Sequence, residues 1–138
     1  MILNDFKLYD VSDFPIVRIR GSELPKGYAP QWVAEMDALL SGGQPFVFVF
    51  LDSLENPDHA DQKIQTRWLK THKKPLAKLC CGFVAVEPDP VRRLLKRAQA
   101  LAVTAAFGLA FSVAPTVDEA EARASRLLSG EALVDDVE

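Results

Sequence analysis

Motifs that carry chemistry are scarce in this chain. It contains no Gly-x-Ser-x-Gly nucleophile elbow, no Gly-x-Gly-x-x-Gly fingerprint and no Walker loop. Its one glycine pair, Gly42-Gly43, precedes an apolar run instead of following one. The 138 residues include only two histidines and two cysteines. The cysteines are adjacent, Cys80-Cys81, a spacing whose closed ring is strained, and no Cys-x-x-Cys occurs. Both are therefore expected reduced and mostly buried. The opening Met1-Ile2-Leu3-Asn4-Asp5-Phe6 has neither the basic region nor the apolar core of a secretory signal. The longest weakly polar stretch, Ala100 to Ala114, falls short of the roughly 20 residues a membrane span needs. The expectation is a cytoplasmic protein with no transmembrane segment.

What is present reads as one globular domain. The chain is 49% hydrophobic and 25% charged, too apolar for disorder. Its seven Gly and nine Pro are scattered, which excludes a collagen-like or low-complexity character. Residues 1–130 are expected to form a single α/β domain, and 131–138 an acidic, frayed tail.

Charge is distributed unevenly. Ten Lys/Arg against three acids between His59 and Arg97 leave that segment at +7, within a chain of net charge −3. The bland explanation is solvated helix faces. The sharper one is a basic surface, centred on Arg67, Lys70, Lys74, Arg93 and Arg97, that docks a protein partner with an acidic surface. Nucleic acid is not expected, because Trp68 and Phe83 are the segment's only aromatics and no reading motif accompanies them. A homodimer is a competing use, with the acidic C-terminal helix of one copy meeting the basic face of another.

Periodicity sets the order of elements. Ile16 to Arg20 alternates apolar and basic residues, suggesting a strand paired with Phe6-Lys7-Leu8-Tyr9. Trp32, Met36, Leu39 and Leu40 share a helical face, with Pro30 at its start and Gly42-Gly43 at its end. Phe46 to Leu51 is apolar on both faces, as a central strand must be, with Val47 and Val49 nearly fully buried. Asp58 is expected to cap the next helix, whose stripe is Ile64, Trp68, His72, Leu76 and Leu79. Pro75 falls inside that stripe and predicts a kink or break between Lys73 and Ala77. Phe83 to Val86 is a second buried strand. Asp89 and Pro90 open a helix in which Val91, Leu94, Leu95, Ala98, Leu101, Ala102 and Ala105 have the cleanest amphipathic spacing of the chain. Leu109 to Val113 is a strand, and Thr116-Val117-Asp118-Glu119 is a capping box. The order β-β-α-β-α-β-α-β-α predicts a mixed, mostly parallel sheet of about five strands with helices packed on it.

In such sheets ligands bind beyond the C-terminal strand ends, here the loop from Asp52 to Asp61. Asp52, Ser53, Asp58 and His59 are its candidate ligand or phospho-switch residues. Its acids, Glu55 and Asp61 included, match no defined metal loop, so neither a metal nor a cofactor is expected. His72 lies on an apolar stripe and suits a core or interface position better than a base. No catalytic residue is assigned and the chain is expected to be non-catalytic. A small-ligand or lipid carrier with a pocket near Trp68 and Phe107, and a metal-assisted enzyme using the Asp52–Asp61 loop, are the rival readings.

Several segments carry a family resemblance. They are Phe46 to Ser53 ending a central strand, Arg67-Trp68-Leu69-Lys70 with His72, Cys81 to Val86, Arg92 to Leu101, Phe111-Ser112-Val113 and Glu119-Ala120. On these the chain, from Phe6 to Leu128, resembles the small bacterial STAS/SEC14-like proteins, relatives of the sporulation anti-sigma-factor antagonist fold. The resemblance implies a non-enzymatic, regulatory interaction module, since such domains bind partner kinases, lipids or nucleotides. The antagonists switch through a phosphorylated serine in an Asp-Ser-Ser-Gly-like signature at the start of the helix after the central strand. Here that helix begins Pro57-Asp58-His59-Ala60, and the serine, Ser53, lies earlier.

Overall fold

The computed structural model describes residues 6–54 and 57–130. Glu55 and the expected acidic tail at 131–138 lie outside the described residues. The fold is α/β. Strands β1 (Ile16–Arg20), β2 (Phe46–Asp52), β3 (Cys80–Val86) and β4 (Phe111–Ala114) form one sheet in the order 1-2-3-4, with every ladder parallel. The helices are α1 (Ala29–Gly42), α2 (His59–Thr71), α3 (Lys73–Leu79), α4 (Pro90–Phe107) and α5 (Val117–Leu128), with one 3-10 turn at Gly21–Glu23. Each strand is followed in space by the next, so every crossover steps in the same direction. Right-handed crossovers then put all the connecting helices on one face, and only α5, after the last strand, folds back on the other.

The sequence Phe46-Val47-Phe48-Val49-Phe50 decides what each face is made of. Side chains alternate along a strand, so the phenylalanines point one way and the valines the other. The register places Phe48 beside Phe83, and Phe83 beside Phe111. Their rings stack across the sheet, 5.1 Å from Phe48 to Phe83 and 5.6 Å from Phe83 to Phe111. This aromatic face receives Trp32, Met36 and Leu39 of α1, Trp68 of α2 and Leu76 of α3. Val47, Val49, Val84 and Val86 line the opposite face, where Ala120, Ala124 and Leu127 of α5 seat that helix close to the sheet. Val47 and Val49 are fully buried and β2 is central, as its two-faced apolar run requires. Arg18 on β1 clasps α5 through a two-pronged pair with Glu121 (2.8 and 2.6 Å).

Among the described residues the sheet has four strands, close to the expected five, and all its ladders are parallel. The segment Phe6–Tyr9 has a strand-like pattern but does not join the sheet. Glu35, buried on α1, accepts hydrogen bonds from the backbone N–H groups of Lys7, Leu8 and Tyr9 (2.9 Å each). A side-chain carboxylate thus occupies the donors that a neighbouring strand would have used. Backbone pairing with the sheet comes just after the segment, as an isolated antiparallel bridge between Asp10 and Arg18, while Tyr9 packs its ring on Phe48.

The helix ends follow the caps. Asp58 accepts from Ala60 N, Asp89 from Arg92 N and Thr116 from Glu119 N. Half of the expected capping box is thus formed at Thr116, while the Glu119 carboxylate turns to Arg123 (3.3 Å) and Arg126 (3.7 Å). The predicted break near Pro75 falls at His72, just ahead of the expected Lys73–Ala77 window (φ −107°, ψ 21°). Proline lacks an N–H and crowds the carbonyl four residues back. The chain resolves both by ending α2 at Thr71, which leaves Pro75 in the first turn of α3, where its missing donor has no role.

Helix α4 departs from the usual layering. Its apolar stripe, which would ordinarily mark the buried side, faces solvent. Val91, Leu94, Leu95 and Leu101 are all exposed, and Ala100 is the helix's one fully buried residue. Among the described residues no helix is long and apolar enough to cross a membrane.

Candidate ligand cleft

On the aromatic face α2 packs with α1, whereas α4 packs down on β4. Between α2 and α4 a cleft of about 470 Å3 opens at the C-terminal ends of the strands. Phe50, Phe83, Ala85 and Phe111 floor it. Gln62, Gln65 and Leu69 form the α2 wall and Lys96, Gln99 and Val103 the α4 wall, each trio spaced i, i+3, i+7 on one helical face. Ile19, Trp32 and Met36 close the inner end.

The mouth is built from the strand-end loops. Asp52 at the end of β2 accepts from the backbone N–H (2.8 Å) and hydroxyl (2.6 Å) of Ser22. Burial alone would raise its pKa. The Ser22 bonds, with Arg20 and Lys96 nearby, outweigh this and hold the carboxyl below its ordinary value. Gly21 makes the approach possible, since a Cβ there would lie 2.6 Å from Leu54 N and 2.9 Å from the Ser53 carbonyl carbon. Ser53 accepts a hydrogen bond from Lys96, whose ammonium also pairs with Glu87 at 2.7 Å. Lys96 thus ties the Ser53 end of β2 to Glu87 at the end of β3 across the mouth.

Glu87 is nearly buried at the end of β3. Desolvation pushes its pKa up, but hydrogen bonds from Lys96 and Asp89 N, with the charges of Lys96 and Arg92, pull it below the usual carboxylate range. A group depressed in the folded state contributes stability above its unfolded pKa and loses it as pH falls through the folded one. Glu87→Gln should therefore cost roughly 1–3 kcal/mol at pH 7, the range for a charge-assisted bond. The gap to wild type should close on acidification through the carboxylate range. Urea midpoints measured at several pH values check this, and a gap that stays constant or widens contradicts it.

The expected site residues divide. Asp52 and Ser53 line the cleft. Asp58 does not: it caps α2 and lies 3.9 Å from Lys26. His59 is exposed on the outer side of α2, in a shallow groove with Lys63, Arg67 and Lys70. Asp61 is buried and reaches back to the start of α1, accepting from Gly27 N (2.9 Å) and Ala29 N (3.1 Å). Asp52, Asp58 and Asp61 are thus spent on separate backbone and side-chain donors. Among the described residues no three His, Cys, Asp or Glu are grouped to hold a metal ion.

The basic residues lie on three helices: exposed Arg67 and Lys70 on α2, exposed Lys74 on α3, and half-buried Arg93 and Arg97 on α4. Arg93 is turned inward, donating to the carbonyls of Glu87 and Pro88 (3.0 and 3.1 Å). The cavity is not lined by Trp68 or Phe107, where a pocket was expected. Trp68 is buried against Trp32 (ring centroids 5.3 Å apart) and donates to Asp37 at 2.8 Å. His72 stacks on Trp68 at 4.3 Å, half-buried in the interface expected for it. Cys80 and Cys81 are free thiols, and burial pushes Cys80 up to about 12.

Lys96, Gln99 and Val103 were missed as site residues because they lie beside, not on, the apolar stripe of α4. Their i, i+3, i+7 spacing was the available signal. No protein-family model, curated protein or solved structure matches the chain.

Proposed function

We propose that the chain is a non-catalytic binding module that holds a small molecule in the cleft between α2 and α4. The ligand has an apolar body and one hydrogen-bonding end. The observation that carries this is the phenylalanine floor, half-buried Phe50 and Phe111 flanking buried Phe83, beneath a cleft of about 470 Å3 between two helices. Ligand sites have this character: mostly apolar, with few polar groups, and roughly 300–1,000 Å3 in volume. Asp52 and Lys96 are already matched by Ser22 and Glu87. The cleft therefore offers a ligand amides and hydroxyls, at Gln62, Gln65, Gln99 and Ser53, more than net charge. The STAS/SEC14-like resemblance points the same way, since such domains include lipid and nucleotide binders. The free thiols suit the cytoplasmic setting that belongs to this reading.

A second reading, docking of an acidic protein, is favoured by the exposure of Arg67, Lys70 and Lys74. One calorimetric experiment separates the two. It titrates 1-octanol, octanoate and 2-naphthol into wild type, Gln99→Trp and the pair Arg67→Glu with Lys70→Glu. Gln99 is exposed at the mouth, so tryptophan there blocks the cleft without disturbing the core. The neutral probes should bind with dissociation constants on the order of 10–100 µM. Binding should weaken about tenfold or more in Gln99→Trp and stay unchanged in the charge-reversed protein. If no probe binds, or Gln99→Trp binds as well as wild type, the ligand reading fails. A salt-sensitive association that only the charge reversal abolishes supports the docking reading instead.

A further inference from the structure

We propose that α4 is the interface of a homodimer, in which two copies pack their α4 stripes antiparallel about a twofold axis. The inference is independent of the cleft. It rests on where large apolar side chains are left in water. Val91 is 69% exposed, Leu94 67%, Leu95 61% and Leu101 74%. The other exposed large apolar residues among those described, Ile64 and Val117, are isolated on other helices and less exposed, at 36% and 46%. Val91, Leu94/Leu95, Ala98, Leu101/Ala102 and Ala105 recur every three or four residues, the seam of a helix that packs along its length on another helix. With 18 residues α4 is about 27 Å long, and the seam runs for most of it.

The area fits a second copy. The four large side chains with exposed Ala98, Ala102 and Ala105 present roughly 500–600 Å2, so a pair buries roughly 1,000–1,200 Å2, the lower end of specific interfaces. The composition chooses a helix over a lipid surface. Alanine at three seam positions lets two helices approach closely and so adds contact, whereas in a bilayer those shallow side chains contribute little. The charges choose the direction. Arg92, Arg93, Lys96 and Arg97 all lie in the first half of α4, and Leu101 to Phe107 carries no charge. A parallel pair would bring the flanking Arg92 and Arg97 of both copies side by side, Lys96 and Arg93 being held on the sheet side. An antiparallel pair brings them to the neutral half of the partner and to the negative end of its helix dipole. Position 98 is the midpoint of the stripe from Val91 to Ala105, so the twofold axis passes there.

The test is solution mass by light scattering over about 1–100 µM, where mass action reveals a dimer. The expected mass is that of two 15.2 kDa chains. Leu94→Glu with Leu101→Glu should weaken self-association by about 100-fold or more, with the circular dichroism spectrum unchanged because both positions are exposed and the urea midpoint matching that of wild type at concentrations low enough to dissociate the dimer. Under mild oxidation Ala98→Cys should link to itself. Val91→Cys should not, but should link to a copy carrying Ala105→Cys. Wild type serves as the control for Cys80 and Cys81. Monomeric mass throughout overturns the proposal, as does a dimer indifferent to the two glutamates. So does a monomer that floats with phosphatidylglycerol vesicles through the same leucines. Self-linking of Val91→Cys overturns the antiparallel arrangement. Should the double glutamate variant misfold, the cysteine pattern still decides.

Discussion

Glu35→Ala should destabilise the chain by about 3–5 kcal/mol, one of the largest losses any single surface-type residue here can produce. Glu35 is 2% exposed. Its two oxygens take the N–H groups of Lys7, Leu8 and Tyr9 and the amide of Gln31 at 2.8–2.9 Å. Alanine removes the acceptor and leaves Tyr9 N, which is buried, with no partner. The isosteric Glu35→Gln should cost about 2 kcal/mol, because its NH2 group faces N–H donors and the charge that strengthens each bond is gone. The loss should be local first. Tyr9 packs on Phe48 (5.2 Å) and its hydroxyl accepts from Trp32 (2.9 Å), so freeing residues 7–9 loosens one side of the aromatic layer. Urea midpoints give the total, and amide exchange at residues 7–11 should quicken before exchange in β2. A cost below about 1 kcal/mol for the alanine variant would contradict this account.

Glu35 also shows what the sequence withholds. In Trp32-Val33-Ala34-Glu35-Met36 it reads as an ordinary helix-surface acid, and nothing local says that its partners are backbone donors more than 25 positions away. Asp61 is the same case, a first-turn acid whose second task is to cap another helix. Features with local causes were legible. Asp58, Asp89 and Thr116 cap helices because their donors lie two or three residues on. The run from Phe46 to Leu51 is central because a strand apolar on both faces must be covered on both. Pro75 announced a break, and the break settled just ahead of the expected window because the start of a helix is where proline costs least.

The cleft was half legible for a related reason. Asp52 and Ser53 follow from the rule that open α/β sheets bind at their C-terminal strand ends. The opposite wall does not. Periodicity identified the apolar stripe of α4, but periodicity reports only that a stripe exists, not whether a sheet, a second chain or solvent covers it. The side of α4 turned to the sheet and the cleft is the more polar one, with Ala100 and Val103 toward the sheet and Lys96 and Gln99 toward the cleft. That reversal is what leaves the phenylalanine floor open on one side of the helix and the leucines exposed on the other.

Phe48→Ala should cost about 3–5 kcal/mol, and Val49→Ala, one residue on and equally buried, about 2 kcal/mol. Both side chains are fully buried in the central strand, so position alone predicts no difference. The faces do. Phe48 lies within ring contact of Tyr9, Phe46 and Phe83 at 5.2, 5.2 and 5.1 Å. Removing it takes away more buried area than removing the valine does and opens a void that cannot readily close. Tyr9 is held by Trp32 through its hydroxyl, and Phe83 is stacked on its other side by Phe111. Such rings cannot follow the gap without breaking their own contacts, so the cavity term adds to the transfer term. Val49 faces the small side chains of α5, where Ala120 and Ala124 already bring that helix near, and its loss leaves a space of two methyl groups. Denaturant unfolding of the two variants side by side measures the difference. Equal losses, or a larger loss for valine, would mean that the aromatic layer is not the principal source of the sheet's stability.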